Sequence, residues 1–230
     1  MKMDQSNYEL LQKIPKDQLH KILNSPFSEI DPTFLCFSEI YKAVAVNTPK
    51  DLMIIDLGCY AGLQSAFFED YKAYIGVDSC PMAFVGLPEL EDAQYLSAKD
   101  FYMPRLEGEK NHYFVTTIQH FIENMEENGL DPEKCMAIMS YVPDKDAYEK
   151  AMEAFPNIAA YYPGDHYKNN VFRLHGKETP MRALIDAPQD REVEVFYDKK
   201  KDEWALKEPL TEKQELEEGS QEEEYEEREF

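Results

Sequence analysis

Apolar and polar positions alternate with two different periods along this 230-residue chain. Up to about residue 50 the period is helical. Tyr8, Leu11 and Ile14, then Leu19, Ile22 and Leu23, form two short apolar faces separated by Pro15, and spacings of three and four mark one side of a helix. Asp31-Pro32 offers a capping acceptor with proline at the first helical position, ahead of Phe34, Phe37, Tyr41 and Val44 on one face; Pro49 closes the segment. The chain then runs Leu52-Met53-Ile54-Ile55-Asp56-Leu57-Gly58-Cys59-Tyr60-Ala61-Gly62, through a helical pattern at Leu63, Ala66 and Phe67, to Ala73-Tyr74-Ile75-Gly76-Val77-Asp78. Two apolar runs, each ending in a carboxylate, flank a glycine-containing turn. This is a βαβ half-unit of an open parallel sheet, a class that binds ligands beyond the carboxyl ends of its strands.

Further along, the pattern predicts a strand at 94–98 and an amphipathic helix over 111–128, with Phe114, Ile118, Phe121, Ile122 and Met125 inward and Gly129 as its stop. A buried strand follows at 135–143, then a helix capped by Asp144 with Ala147, Tyr148, Ala151, Met152 and Phe155 on its apolar side. Segments 158–162, 170–175 and 192–197 read as strands, the last alternating Glu and Val like an exposed sheet edge. Trp204 could dock the stretch around it, whereas 217–230 is low-complexity acid, a composition expected to stay solvated and disordered. The organisation expected is an N-terminal helical segment (1–50), an α/β domain (51–198) and an acidic, disordered tail (199–230).

Composition narrows the partners. A hydrophobic content of 43% and an aromatic content of 13% support a globular body. The net charge is −22; residues 208–230 hold eleven Glu against Lys213 and Arg228, or −9, leaving −13 for the rest (−22 + 9). Affinity for a phosphate backbone comes from Lys and Arg displacing counterions, so this balance opposes a nucleic-acid partner. The four cysteines (Cys36, Cys59, Cys80, Cys135) form no C-x-x-C pair, there is no signal-peptide pattern, and no apolar run approaches the roughly 20 residues of a membrane span. A reduced, cytoplasmic setting with free thiols and no membrane is expected. Asp165-His166 supplies two ligand types, which do not make a metal site.

The turn reads D-x-G-x-x-x-G. A dinucleotide fingerprint would read G-x-G-x-x-G and set a pyrophosphate on the following helix, where here it would meet Asp56. S-adenosylmethionine carries no phosphate, and its sulfonium and amino groups are cationic, which suits an acidic strand end. Asp78, 22 positions on (78 − 56), can accept hydrogen bonds from ribose hydroxyls. In these residues the chain resembles motif I, and the acidic position after it, of class I S-adenosylmethionine-dependent methyltransferases. The resemblance covers roughly residues 50–198. It implies a Rossmann-like, mostly parallel seven-stranded sheet with helices on both faces, the cofactor lying across the first two strands. The N-terminal helices would then lie over the cofactor cleft, or else cover a sheet edge. The cofactor residues it implies are Asp56, Gly58, Tyr60, Gly62 and Asp78, with Asp100 accepting from the adenine amino group and Phe101 on the ring. The family has Gly where this chain has Tyr60, whose side chain either points away or narrows the methionine pocket.

For the transfer itself, the loop after the fourth strand is the place where amino-methyltransferases acting on bases carry [D/N/S]-P-P-[Y/F]. Ser140-Tyr141-Val142-Pro143-Asp144 shares the Ser and a Pro but not the pattern. Tyr141 is therefore either an acceptor contact or a core aromatic. His166, with an imidazole that titrates near neutral pH beside Asp165, is the candidate base. The reading is a methyltransferase acting on a small molecule or protein. The alternative is a non-catalytic methyltransferase-like interaction protein, with Tyr60 obstructing the pocket and the acidic surface and tail engaging a basic partner or mimicking nucleic acid.

Overall fold

The computed structural model describes residues 2–23, 38–79, 105–162, 170–185, 192–201 and 203–207. It opens with β1 (Lys2–Asp4), α1 (Gln5–Lys13) and α2 (Lys16–Leu23). Pro15 has no N–H with which to extend α1; its carbonyl instead accepts from Gln18 and Leu19 and starts the next helix. The third helix, α3 (Ser38–Asn47), buries Ile40, Tyr41 and Val44; Asp31-Pro32 lies outside the described residues, as does the strand expected at 94–98.

Seven strands form the main sheet: β2 (Met53–Leu57), β3 (Tyr74–Asp78), β4 (Asn111–Val115), β5 (Cys135–Ser140), β6 (Ile158–Tyr161), β7 (Val171–Leu174) and β8 (Lys177–Pro180). Their order is β4-β3-β2-β5-β6-β7-β8. The first five in that order are parallel, while β7 runs antiparallel to β6 and β8 antiparallel to β7. The protein is thus α/β with a mixed, largely parallel sheet. Successive strand residues point to opposite sides, and the core divides accordingly. Ile55, Leu57, Ile75, Val77, Ala137 and Met139 pack with Phe121 of α4 (Ile118–Glu123) and with Tyr148 and Ala151 of α5 (Lys145–Ala154). Ile54, Tyr74, Met136 and Ile138 pack with Ile40, Tyr41 and Val44 of α3 and with Met181 of α6 (Met181–Ile185). A third cluster joins Leu10, Leu11, Ile14 and Leu19 to Ala61, Leu63, Ala66 and Leu106.

Four expectations need correction. The helix expected over 111–128 is a strand followed by a helix: 111–115 forms β4 in register with β3, and only then does Thr117, accepting from the His120 N–H at 3.2 Å, cap α4. The run Tyr113-Phe114-Val115-Thr116-Thr117 is β-branched and aromatic, which suits a pleated surface, and the helical spacing belongs to the residues after it. Second, 192–197, expected as an edge strand of the α/β domain, is not part of the main sheet. It lies in β9 (Glu192–Asp198), which pairs antiparallel with β1 and with β10 (Glu203–Leu206) in a separate three-stranded sheet. The main sheet is closed instead by the β7–β8 hairpin, turned by His175 (φ 50°) and Gly176 (φ 75°); a two-residue turn with both φ positive matches the twist of paired strands. Third, β10 falls where the tail was expected to begin, and Trp204 docks it on the cluster of α1. Fourth, the helix after the glycine turn is a single 3-10 segment, Leu63–Phe67. The cap at Asp144 is as expected: its Oδ1 accepts from the Ala147 N–H at 3.0 Å. Among the described residues no helix is long and apolar enough to cross a membrane.

Candidate functional site

The strand order reverses between β2 and β5: the chain leaves β2 toward β3 on one side, and β5 toward β6 on the other. Open α/β sheets bind ligands at such a point, outside the carboxyl ends of the strands. The turn that leaves β2 there is left-handed at Gly58 (φ 85°), Tyr60 (φ 52°) and Gly62 (φ 66°). Glycine is required at two of these places for space as well as for φ. A Cβ on Gly58 would sit 2.8 Å from Val142 Cγ2, and one on Gly62 would sit 2.5 Å from the Tyr113 hydroxyl. The structure therefore brings the Tyr141-Val142 loop onto Gly58, as well as packing the start of the 3-10 segment onto the sheet.

Four N–H groups of the turn are satisfied within the protein. Gly58 and Cys59 N–H donate to Val77 O (2.8 and 3.2 Å), and Gly62 N–H to Cys59 O (2.8 Å). Tyr60 N–H donates to Asp78 Oδ2 at 2.9 Å. Leu106 N–H donates to Ala61 O at 3.0 Å, and Arg105 Nη1 donates to Tyr60 O and lies 3.1 Å from Cys59 Sγ. A pyrophosphate site needs such N–H groups pointing at the ligand; here those of Gly58, Cys59, Tyr60 and Gly62 point inward. The Tyr60 ring is half-buried against the cluster of α1 and Trp204, and burial, then the charge of Asp78, raises its phenol pKa.

Asp56 lies beneath the turn, fully buried. Tyr41 of α3 donates to its Oδ1 at 2.9 Å and Tyr74 of β3 to its Oδ2 at 2.5 Å. Burial pushes the Asp56 carboxyl up to about 7; the two phenol hydrogen bonds oppose this, the charge of Asp78 adds to it and Arg105 opposes it. Tyr41, Tyr74 and Cys59 are driven well above their ordinary values, first by burial and next by Asp56. Asp56 therefore acts on the turn through its field, with both oxygens already engaged. Asp78 is 4% exposed and orients the turn through Tyr60.

Tyr141 follows the end of β5 with φ 61°, a strained conformation for a non-glycine residue. It is 50% exposed and stacks on Tyr162 with ring centroids 5.1 Å apart and planes at 16°, so it is an edge aromatic and not a core one. Asp100, Phe101 and His166 lie outside the described residues. The strand beside β3 is β4, which leads at its carboxyl end into Thr116 and Thr117, neither acidic. Among the described residues no group of three or more His, Cys, Asp or Glu could hold a metal ion. A cavity of about 220 Å³ lies beside the 3-10 segment, between Pro15, Ser65, Phe68, Leu106 and Asn111, and holds none of the expected site residues.

Sequence reasoning missed Tyr41, Tyr74 and Arg105. The two tyrosines were counted for their rings alone. A buried phenol needs a hydrogen-bond partner, and a carboxylate inside an apolar run is the natural one. Arg105, buried, could have been noticed as a lone cation between Pro104 and Leu106. Against known proteins, the chain matches no family model and no curated protein.

Proposed function

We propose that the carboxyl ends of β2 and β3 bind S-adenosylmethionine, and that this Rossmann-like domain, in a reduced, cytoplasmic setting, methylates a small molecule or a protein. One observation carries the reading: Asp56 and Asp78 lie at a turn in which the N–H groups of Gly58, Cys59, Tyr60 and Gly62 are already taken, an environment suited to a cationic ligand without phosphate. The cofactor would supply an electrophilic sulfonium methyl. Asp78, held by the Tyr60 N–H, would accept from the ribose hydroxyls. Gly58 and Gly62 would form the turn beneath the cofactor, and Tyr141, exposed and adjacent in sequence to the Val142 that packs on Gly58, would meet the acceptor. Asp100, Phe101 and His166 keep the roles given by the resemblance, as adenine contacts and base. Calorimetry with S-adenosylmethionine, S-adenosylhomocysteine and NAD is the test. Binding of the first two without comparable affinity for NAD is expected, whereas NAD binding alone, or none, would overturn the assignment.

A second reading has its own support. Tyr60 stands in place of Gly, Arg105 occupies its carbonyl, and Asp78 is almost wholly covered, as in a turn that serves the fold alone. The chain would then be a non-catalytic interaction protein whose acidic surface and tail engage a basic partner. Failure to bind either adenosyl ligand, with salt-sensitive binding of poly-lysine, would favour it.

A further inference from the structure

Two tyrosines stand at the carboxyl edge of the main sheet, one just beyond β5 and one just beyond β6. Both are fixed by their backbones. Tyr141 N–H donates to Tyr161 O at 2.9 Å. Tyr162 N–H donates to Asn170 Oδ1 at 2.8 Å, and Asn170 Nδ2 donates back to Tyr162 O at 3.0 Å. The rings lie 5.1 Å apart with planes at 16°. Among the described residues neither ring belongs to any of the three apolar clusters, and Tyr141 is 50% exposed. Its φ of 61° costs a bulky residue stability, and strain of this kind collects at binding and catalytic sites. The neighbouring charges are acidic. Asp144 and Asp146 lie three and five positions on (144 − 141, 146 − 141), both exposed. The Ala147 N–H and Gln119 hold the Asp144 carboxyl below its ordinary value, so it keeps its charge. Lys145, between the two, reaches Glu149 at 3.3 Å, and no cation among the described residues pairs with either aspartate.

We propose that the exposed face of Tyr141, backed by Tyr162 and flanked by Asp144 and Asp146, docks an arginine side chain of a basic protein segment. An aromatic face attracts a cation through its quadrupole, and the carboxylates beside it add their field. A guanidinium suits the place because it is planar: it stacks on a ring while its N–H fork turns to a carboxylate. The net charge of −22 draws a basic partner and opposes a nucleic-acid base in the same position, whose phosphates would meet Asp144 and Asp146. The inference rests on the cofactor reading above for what the docked protein receives: the segment then belongs to the methyl acceptor, and the acceptor is a protein. Val142, next in the chain, packs on Gly58, its Cγ2 2.8 Å from where a Cβ there would sit, so docking on Tyr141 brings the segment beside the turn.

NMR titration of the full chain with two terminally blocked peptides, Gly-Ser-Arg-Ser-Gly and its counterpart with citrulline for arginine, tests this. Citrulline keeps the planar end group and removes its charge. The arginine peptide should shift the ring signals of Tyr141 and Tyr162, more strongly at low than at high salt, and should bind more tightly than the citrulline peptide. Tyr141→Leu, apolar but without a ring, should weaken the arginine peptide about twofold to fivefold, whereas Tyr141→Phe should keep it. Tyr141→Gly suits the left-handed φ, so it should lose the peptide without lowering the melting temperature. A marked fall in melting temperature there would assign the strained stack to the fold and overturn the proposal. Equal affinity for the two peptides, undiminished affinity in Tyr141→Leu, or ring shifts with a single-stranded oligonucleotide in place of the arginine peptide would overturn it as well. If S-adenosylmethionine fails to bind while the arginine peptide still seats on Tyr141, the cofactor reading falls and the docking site stands.

Discussion

Asp56 and Asp78 lie on one face of neighbouring strands and hold different partners, so their substitutions should separate. Asp78→Ala takes the acceptor from the Tyr60 N–H and should lower stability by about 1–3 kcal/mol, along with a roughly tenfold to hundredfold loss of cofactor affinity, since charge-assisted hydrogen bonds contribute about 1.5–3 kcal/mol. Asp78→Asn keeps a carbonyl for Tyr60 and should restore most of the stability but not the affinity. Melting and calorimetry on both variants decide it; unchanged affinity in the Asn variant would mean that Asp78 serves the turn alone. Asp56 makes a different forecast. Its folded pKa is raised to about 7 from 3.8, so between those values the folded state holds a proton that the unfolded state has released. Its contribution is therefore fully present below about pH 4 and is lost as pH rises through about 7, on the order of a few kcal/mol. Asp56→Asn should remove that slope: the stability of the variant relative to wild type should grow from pH 5 to pH 8 in chemical denaturation. A difference that stays constant with pH would show that the carboxyl is not titrating there.

At the scale of elements, the turn depends on close approach. Gly62→Ala would place a methyl on Tyr113, whose hydroxyl donates to Leu106 O at 2.7 Å, and would impose a left-handed φ of 66° on alanine. A loss of about 2–4 kcal/mol is expected from strain and overpacking together. Adding Tyr113→Ala should recover part of the packing term, so the double variant should be less unstable than the sum; strict additivity would place the damage in φ alone. The elements that were legible in the sequence are those with a local signature: Pro15 between two helical faces, the apolar runs of β2, β3 and β5, and the Asp144 cap. The β7–β8 hairpin was half visible, because Lys177-Glu178-Thr179-Pro180 has no apolar alternation and only the His175-Gly176 turn betrays it. Of the two partners of β9, the distant one was not legible at all. The Glu-Val alternation of β9 reads as a strand, but nothing local says that one partner is β1, at the other end of the sequence. Of the site, the glycines and both carboxylates were visible in the turn motif. The phenols that clasp Asp56 were not, since their meeting depends on how α3 and β3 pack.

For the whole molecule, charge is the dominant feature. Deleting 217–230 removes eight Glu and one Arg, taking the net charge from −22 to −15 (−22 + 7), and removes only Tyr225 and Phe230 as large apolar side chains. Relief of like-charge repulsion should leave the melting temperature unchanged or raise it, more at low than at high salt. A marked drop would show that these residues dock on the body. The three-stranded sheet has a consequence of another kind, in the order of events as the chain is made. Asp4 pairs with Glu192, a partner 188 positions later (192 − 4). At about 5–20 residues per second, β1 waits roughly ten to forty seconds after its own synthesis before that partner exists. Meanwhile α1 can already meet Ala61, Leu63 and Ala66, so β1 is made well before it can be paired. A chain stalled before residue 192 would carry β1 with an open edge, free to pair with a neighbour on the same message.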